Sequence, residues 1–110
     1  MTPLDAVLAE VARLSREELD RWIDQRWVRP QPQGSTYLFS EVDIARVTLI
    51  CELRDAFSID EEAMPVVLSL LDQVYELRRG LRVLGAAIGA QPDPVRQAIW
   101  SELSRQRDAD

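Results

Sequence analysis

The sequence predicts an all-α chain with one small β wing: a winged helix-turn-helix, then a long coiled-coil-type helix and a C-terminal helix. Three observations predict it. Two helix-start signatures, one at Thr2-Pro3 and one at Ser15-Arg16-Glu17-Glu18, stand close enough for two short helices joined by a turn. A Pro/Gly-rich stretch between two β-prone runs follows, the pattern of a short hairpin. Beyond it, apolar residues recur at alternating steps of three and four, the signature of a coiled-coil seam. The chain therefore divides into a winged helix-turn-helix over 1–57, a long helix over 58–90, and a C-terminal helix with a frayed tail over 91–110.

Each element has a local reason. In the first helix Thr2 can cap, Pro3 suits the first helical position, and Leu4, Val7, Leu8 and Val11 recur at helical spacing. Ser15 opens the second helix, with Glu18 placed to reach back to the cap; Leu19, Trp22 and Ile23 form its apolar stripe. Trp27-Val28-Arg29-Pro30 and Thr36-Tyr37-Leu38-Phe39 are the arms expected of the wing, around a turn at Gln31-Pro32-Gln33-Gly34-Ser35. Ser40 caps a third helix, with Glu41 and Asp43 in the first turn, where the helix dipole favours acids. Ile44, Val47, Leu49, Ile50, Cys51 and Leu53 make that helix apolar over more than one face, so it is expected at the centre of the core.

Asp60, Glu61 and Glu62 are expected to open the long helix near Glu61, which puts Pro65 in the first turn, where its missing N–H is harmless. The seam is Val67, Leu70, Val74, Leu77, Leu81, Leu84 and Ile88. Gly80, Gly85 and Gly89 each weaken a helix interior by about 1 kcal/mol relative to alanine, so order is expected to fade or bend between Gly80 and Gly89. Pro92-Asp93-Pro94 reads as a hinge, after which Val95, Ala98, Ile99 and Leu103 share one face of the last helix. Trp22 and Trp27 fall on apolar stripes and are expected in the core; Trp100 lies off its helix's apolar line and is expected to be partly exposed.

Composition removes whole classes of function. The chain has 110 residues, one cysteine and no histidine. Histidine-based triads, Cys-His dyads and the common zinc sites are excluded together. A lone cysteine also excludes an internal disulfide framework, fits a reducing cytoplasm, and leaves Cys51 to read as a small buried hydrophobe. No phosphate-binding loop, metal motif or paired-carboxylate cleft is legible, so the chain reads as a non-enzyme with no cofactor and no metal. No apolar run approaches the roughly 18 residues of a membrane span. The opening MTPLDAVLAE carries acids where a secretory signal carries bases, which points to a cytoplasmic protein.

The formal net charge is −6, with 19 acidic and 13 basic residues. That weighs against nucleic acid, because phosphate neutralisation supplies most of the affinity of a DNA binder. Arg16, Arg21 and Arg29 are the cations a DNA-reading helix and wing would use, yet Glu17, Glu18, Asp20 and Asp24 share the helix, and Gln31 to Phe39 carries no charge.

The order of parts resembles the MerR superfamily, and the residues that carry the likeness are Tyr37-Leu38-Phe39-Ser40-Glu41-x-Asp43-Ile44, Leu49-Ile50-x-x-Leu53-Arg54 and Phe57-Ser58-Ile59-Asp60-Glu61. Leu14-Ser15-Arg16-Glu17-Glu18-Leu19, Trp27-Val28-Arg29-Pro30 and above all Leu68-Ser69-Leu70-Leu71-Asp72-Gln73-Val74 carry a narrower resemblance, over about residues 8–78, to the CbpM branch of chaperone modulators. Members of that branch bind the J-domain of a DnaJ/CbpA-type co-chaperone and block its work with the DnaK-type chaperone. The resemblance implies an adaptor of that kind here, with Asp60, Asp72 and Glu76 as the acids facing the basic helix of a J-domain. It also implies a homodimer through the long helix, although the last helix could instead cover the seam within one chain. The alternative is a MerR-type transcription factor using Arg16, Arg21 and Arg29.

Overall fold

The computed structural model describes residues 1–109. In chain order the elements are β1 (Thr2–Pro3), α1 (Leu4–Glu10), α2 (Arg16–Asp24), β2 (Gln31–Gln33), β3 (Thr36–Phe39), α3 (Glu41–Ala56), α4 (Met64–Gly89) and α5 (Asp93–Ala109). The predicted fold class is the observed one. The chain forms two compact units, Met1–Leu68 and Ser69–Asp110, with the division falling inside α4.

The first unit holds the core. Leu4 and Val7 of α1, Leu19 and Trp22 of α2, Phe39 of β3, and Val47, Ile50, Cys51 and Leu53 of α3 are buried, together with Trp27, Val28, Met64 and Leu68. Each large side chain buried this way contributes about 1.5–3 kcal/mol. The caps form as the sequence predicts. Ser15 Oγ accepts from the Glu18 N–H while Glu18 accepts from the Ser15 N–H, and Ser40 and Asp43 repeat the arrangement on α3.

The sheet differs from the expectation at both ends. Its order is β1-β3-β2, all antiparallel. The first wing arm is Gln31-Pro32-Gln33, paired so that Pro32 faces Tyr37, and the turn shrinks to Gly34-Ser35. Pro32 is tolerated because β2 is an edge strand, where one side needs no N–H donor. Gly34 has a φ of 60°, the left-handed value that a two-residue hairpin with glycine first requires. Trp27, Val28 and Pro30, expected in the first arm, lie outside the strand and are buried, Trp27 in the core as its apolar stripe predicts. Thr2 and Pro3 do not start a helix; they pair with Phe39 and Leu38 and cover the other edge of β3.

The long helix also departs from expectation. Asp60 to Ala63 makes its own turn, in which the Asp60 carboxylate accepts from the Ala63 N–H at 2.8 Å, and α4 proper begins at Met64. Pro65 still falls in the first turn. The helix then runs unbroken through Gly80 and Gly85 to Gly89, 26 residues or about 39 Å at 1.5 Å per residue. The leucines, arginines and alanines around the glycines are strong helix formers and outweigh their cost. The last helix continues to Ala109, so the expected fraying is not seen up to that residue; Asp110 lies outside the described residues.

Candidate functional site

Helices α1 and α2 form the helix-turn-helix, and two devices fix its angle. Arg13, in the turn, sits in the left-handed region with φ 64°. Its carbonyl accepts from Arg54 Nη2 at 2.9 Å. The same guanidinium pairs with Glu18 of α2, donates from Nε to Asp55 at 2.9 Å, and lies 5.7 Å from the centroid of the Trp22 ring. The hydrogen bond to Asp55, followed by that to Glu18, pushes the Arg54 pKa up, and the contact holds the Asp55 carboxyl below its ordinary value. At the far end of α2 the Arg26 N–H donates to the Ile23 carbonyl and the Trp27 N–H to that of Trp22, with Arg26 left-handed. This is the Schellman closure, here with arginine where glycine is usual. Arg46 Nε donates to the Trp27 carbonyl at 2.9 Å, tying the entry of the wing to α3.

The outer face of α2 is mixed in charge. Arg16 and Arg21, five residues apart, point about 140° away from each other around the helix. Each has an acid four residues away, Asp20 for Arg16 and Glu17 for Arg21. Arg21 is further engaged by Glu61, at 3.0 Å. Arg29 is exposed at the base of the wing.

The second unit has the opposite character. None of residues 69–109 is buried. Leu77 and Leu81 of the seam are 69% and 68% exposed, Leu70, Val74 and Leu84 are also exposed, and Val67 and Ile88 are half-buried. On α5, Pro94, Val95, Ala98, Ile99 and Leu103 line an open apolar face, and Trp100 is 63% exposed. Asp72 and Glu76 lie one turn apart on α4, both exposed.

A two-helix start, a three-stranded wing and a capped helix behind it specify a winged helix-turn-helix. Residues 6–85 match the profile of the family described as "MerR HTH family regulatory protein". The chain belongs to that family. Comparison with curated proteins and with solved structures gave no match.

Within this MerR-family frame the charge is unevenly placed. Residues 1–68 carry thirteen acids and seven arginines, a net of −6, whereas residues 69–110 carry six of each and are neutral. All the excess negative charge therefore sits on the unit that holds the helix-turn-helix and wing.

The residues predicted from sequence are distributed as follows. Asp60 is exposed, but its carboxylate caps the turn before α4. Asp72 and Glu76 share a helix face. Arg16 and Arg21 do not share one. Two features were not legible in the sequence: the Arg54 cluster, and a groove of about 470 Å³ between the end of α1 and α3 with buried Cys51 beneath it. Both join residues some 40 positions apart, and no local motif announces such a juxtaposition. Burial pushes the Cys51 thiol up, with Asp55, Glu18 and Glu52 adding to the rise and Arg54 opposing it. Among the described residues no cluster of potential metal ligands occurs, and no helix is long and apolar enough to cross a membrane.

Proposed function

We propose that this MerR-family chain is a protein-binding adaptor of the CbpM type, which occupies the J-domain of a DnaJ/CbpA-type co-chaperone and competes with the DnaK-type chaperone for it. The observation that carries the reading is the electrostatics of the helix-turn-helix unit. A net charge of −6, an uncharged wing tip, and an Arg21 already held by Glu61 suit a cationic protein partner better than a phosphate backbone. The Leu68–Val74 motif, which contains Asp72, and the acid Glu76 one turn beyond it support the same partner. The neutral second unit, with an exposed seam and no buried residue among 69–109, supports a homodimer formed through α4.

Membership of a family of helix-turn-helix regulatory proteins favours a second reading, a DNA-binding regulator contacting phosphates through Arg16, Arg21 and Arg29. One experiment separates the two. Titration calorimetry with a purified J-domain should give a dissociation constant on the order of micromolar or tighter. Gel retardation of duplex DNA from the chain's own promoter region should show no complex at physiological salt. Tight, steeply salt-dependent DNA binding with no J-domain binding would replace the adaptor reading with the regulator.

A further inference from the structure

A groove of the first unit runs between the end of α1 and α3. Cys51 forms its floor, and Val11, Ile44 and the exposed Thr48 line its walls. Its volume, about 470 Å³, lies within the range of sites that seat a small apolar group. Four charged residues edge it. Arg54 donates to Asp55 and lowers its carboxyl pKa, Arg13 lies close enough to lower it further, and Arg54 also pairs with Glu18. These two cations and two carboxylates offset one another. Glu10 and Glu52 remain, both exposed, so the groove presents an apolar floor between two carboxylates.

We propose that this groove docks a basic amphipathic helix of the partner, one apolar side chain seated over Cys51 and flanking cations set against Glu10 and Glu52. The proposal rests on the protein-binding reading above and names the place on the first unit where that binding occurs. Two helices with a trough between them suit the helix-in-groove mode, in which apolar anchors spaced at i and i+3 or i+4 give affinity. Charge selects the occupant. A second copy of the same unit brings its own −6 and is repelled, and a nucleic acid meets carboxylates where it needs cations. A cationic helix is attracted by both the local pair and the unit as a whole.

The test uses the full chain and a purified J-domain of a DnaJ-type co-chaperone as the probe, with affinity read by calorimetry. The double variant Glu10→Arg/Glu52→Arg reverses the rim, and Thr48→Trp fills the groove without changing charge. Glu17→Arg/Asp20→Arg makes the same change in net charge on the exposed face of α2. Circular dichroism checks that each variant keeps the helical content of the parent. The expected result is a loss of affinity of about tenfold or more for both groove variants and at most about twofold for the α2 control. Groove variants that bind like the parent would overturn the proposal while leaving the adaptor reading intact. So would equal weakening by the α2 control, which would mark the effect as general electrostatics. A parent chain that does not bind the J-domain at all refutes the adaptor reading, and the groove assignment falls with it.

Discussion

Replacing Arg54 by alanine should destabilise the first unit. The side chain is about a quarter exposed and ties α3 to two segments distant in sequence: the α1–α2 turn through the Arg13 carbonyl, and α2 through Glu18 and the Trp22 ring. A hydrogen bond involving a charged group contributes about 1.5–3 kcal/mol. A cation over an aromatic face near the surface adds about 0.5–1 kcal/mol. Asp55 is the next residue in the chain and keeps much of its contact with Arg54 when the protein unfolds, so it adds nothing to the sum. The contacts share one side chain and are not additive, which brings the expected loss to about 2–3 kcal/mol. Without Arg54 Nη2 the left-handed Arg13 also loses the donor to its carbonyl. Urea unfolding followed by the fluorescence of buried Trp22 and Trp27 measures the change directly. At roughly 1 kcal/mol per molar for a unit this small, the midpoint should fall by about 2–3 M. Arg54→Lys should recover only part of the loss, because an ammonium cannot reach the three partners with a planar fork. A midpoint within about 0.5 M of the parent for Arg54→Ala would refute the view that this cluster sets the helix-turn-helix angle.

The remaining predictions concern α4 and Cys51. A Cβ built on Gly80 or Gly85 meets no atom within 4 Å, so alanine at each should raise helix stability by about 0.8–1 kcal/mol. Thermal melts showing a lower midpoint would mean that the glycines face a closely packed neighbour. In the homodimer proposed through α4, Leu77→Glu/Leu81→Glu should give a monomer in sedimentation equilibrium, since a leucine buried across the seam would contribute about 1.5–3 kcal/mol; a mass unchanged from a dimeric parent would place the interface elsewhere. Cys51 has its thiol pushed up by burial, so below that raised value it stays protonated as well as covered. Iodoacetamide labelling near neutral pH, read by mass spectrometry, should therefore be slow in the folded chain and fast in urea; equal rates would show the site to be open.

Local chemistry made much of this protein readable from its residues in order. Ser15 with Glu18 and Ser40 with Asp43 each close a capping box within four positions, so the starts of α2 and α3 followed directly from sequence. The stripe of Leu19 and Trp22 and the heptad spacing along α4 are equally short-range. Two expectations failed where partners are distant, and one where near neighbours outweighed a weak residue. Thr2 and Pro3 had a sound local reason to begin a helix, but the free edge of β3, more than thirty residues later, offered them a strand partner. Pro32 argued locally for a turn, yet an edge position made its missing N–H costless. The three glycines of α4 each weaken a helix, but the residues between them favour it more strongly.

The amino-acid order by itself determined which segments become helices, where the heptad spacing runs, and that histidine-dependent chemistry is excluded, because each of these depends on residue identity or on spacing within a few turns. Only the tertiary structure decided that Arg54 would clasp Arg13, Glu18 and Trp22, that Arg21 would be held by Glu61, and that Cys51 would lie under a groove between Glu10 and Glu52. Those pairings depend on how helices settle against a shared core, and the closing of long loops, not the identity of neighbours in the chain, selects them.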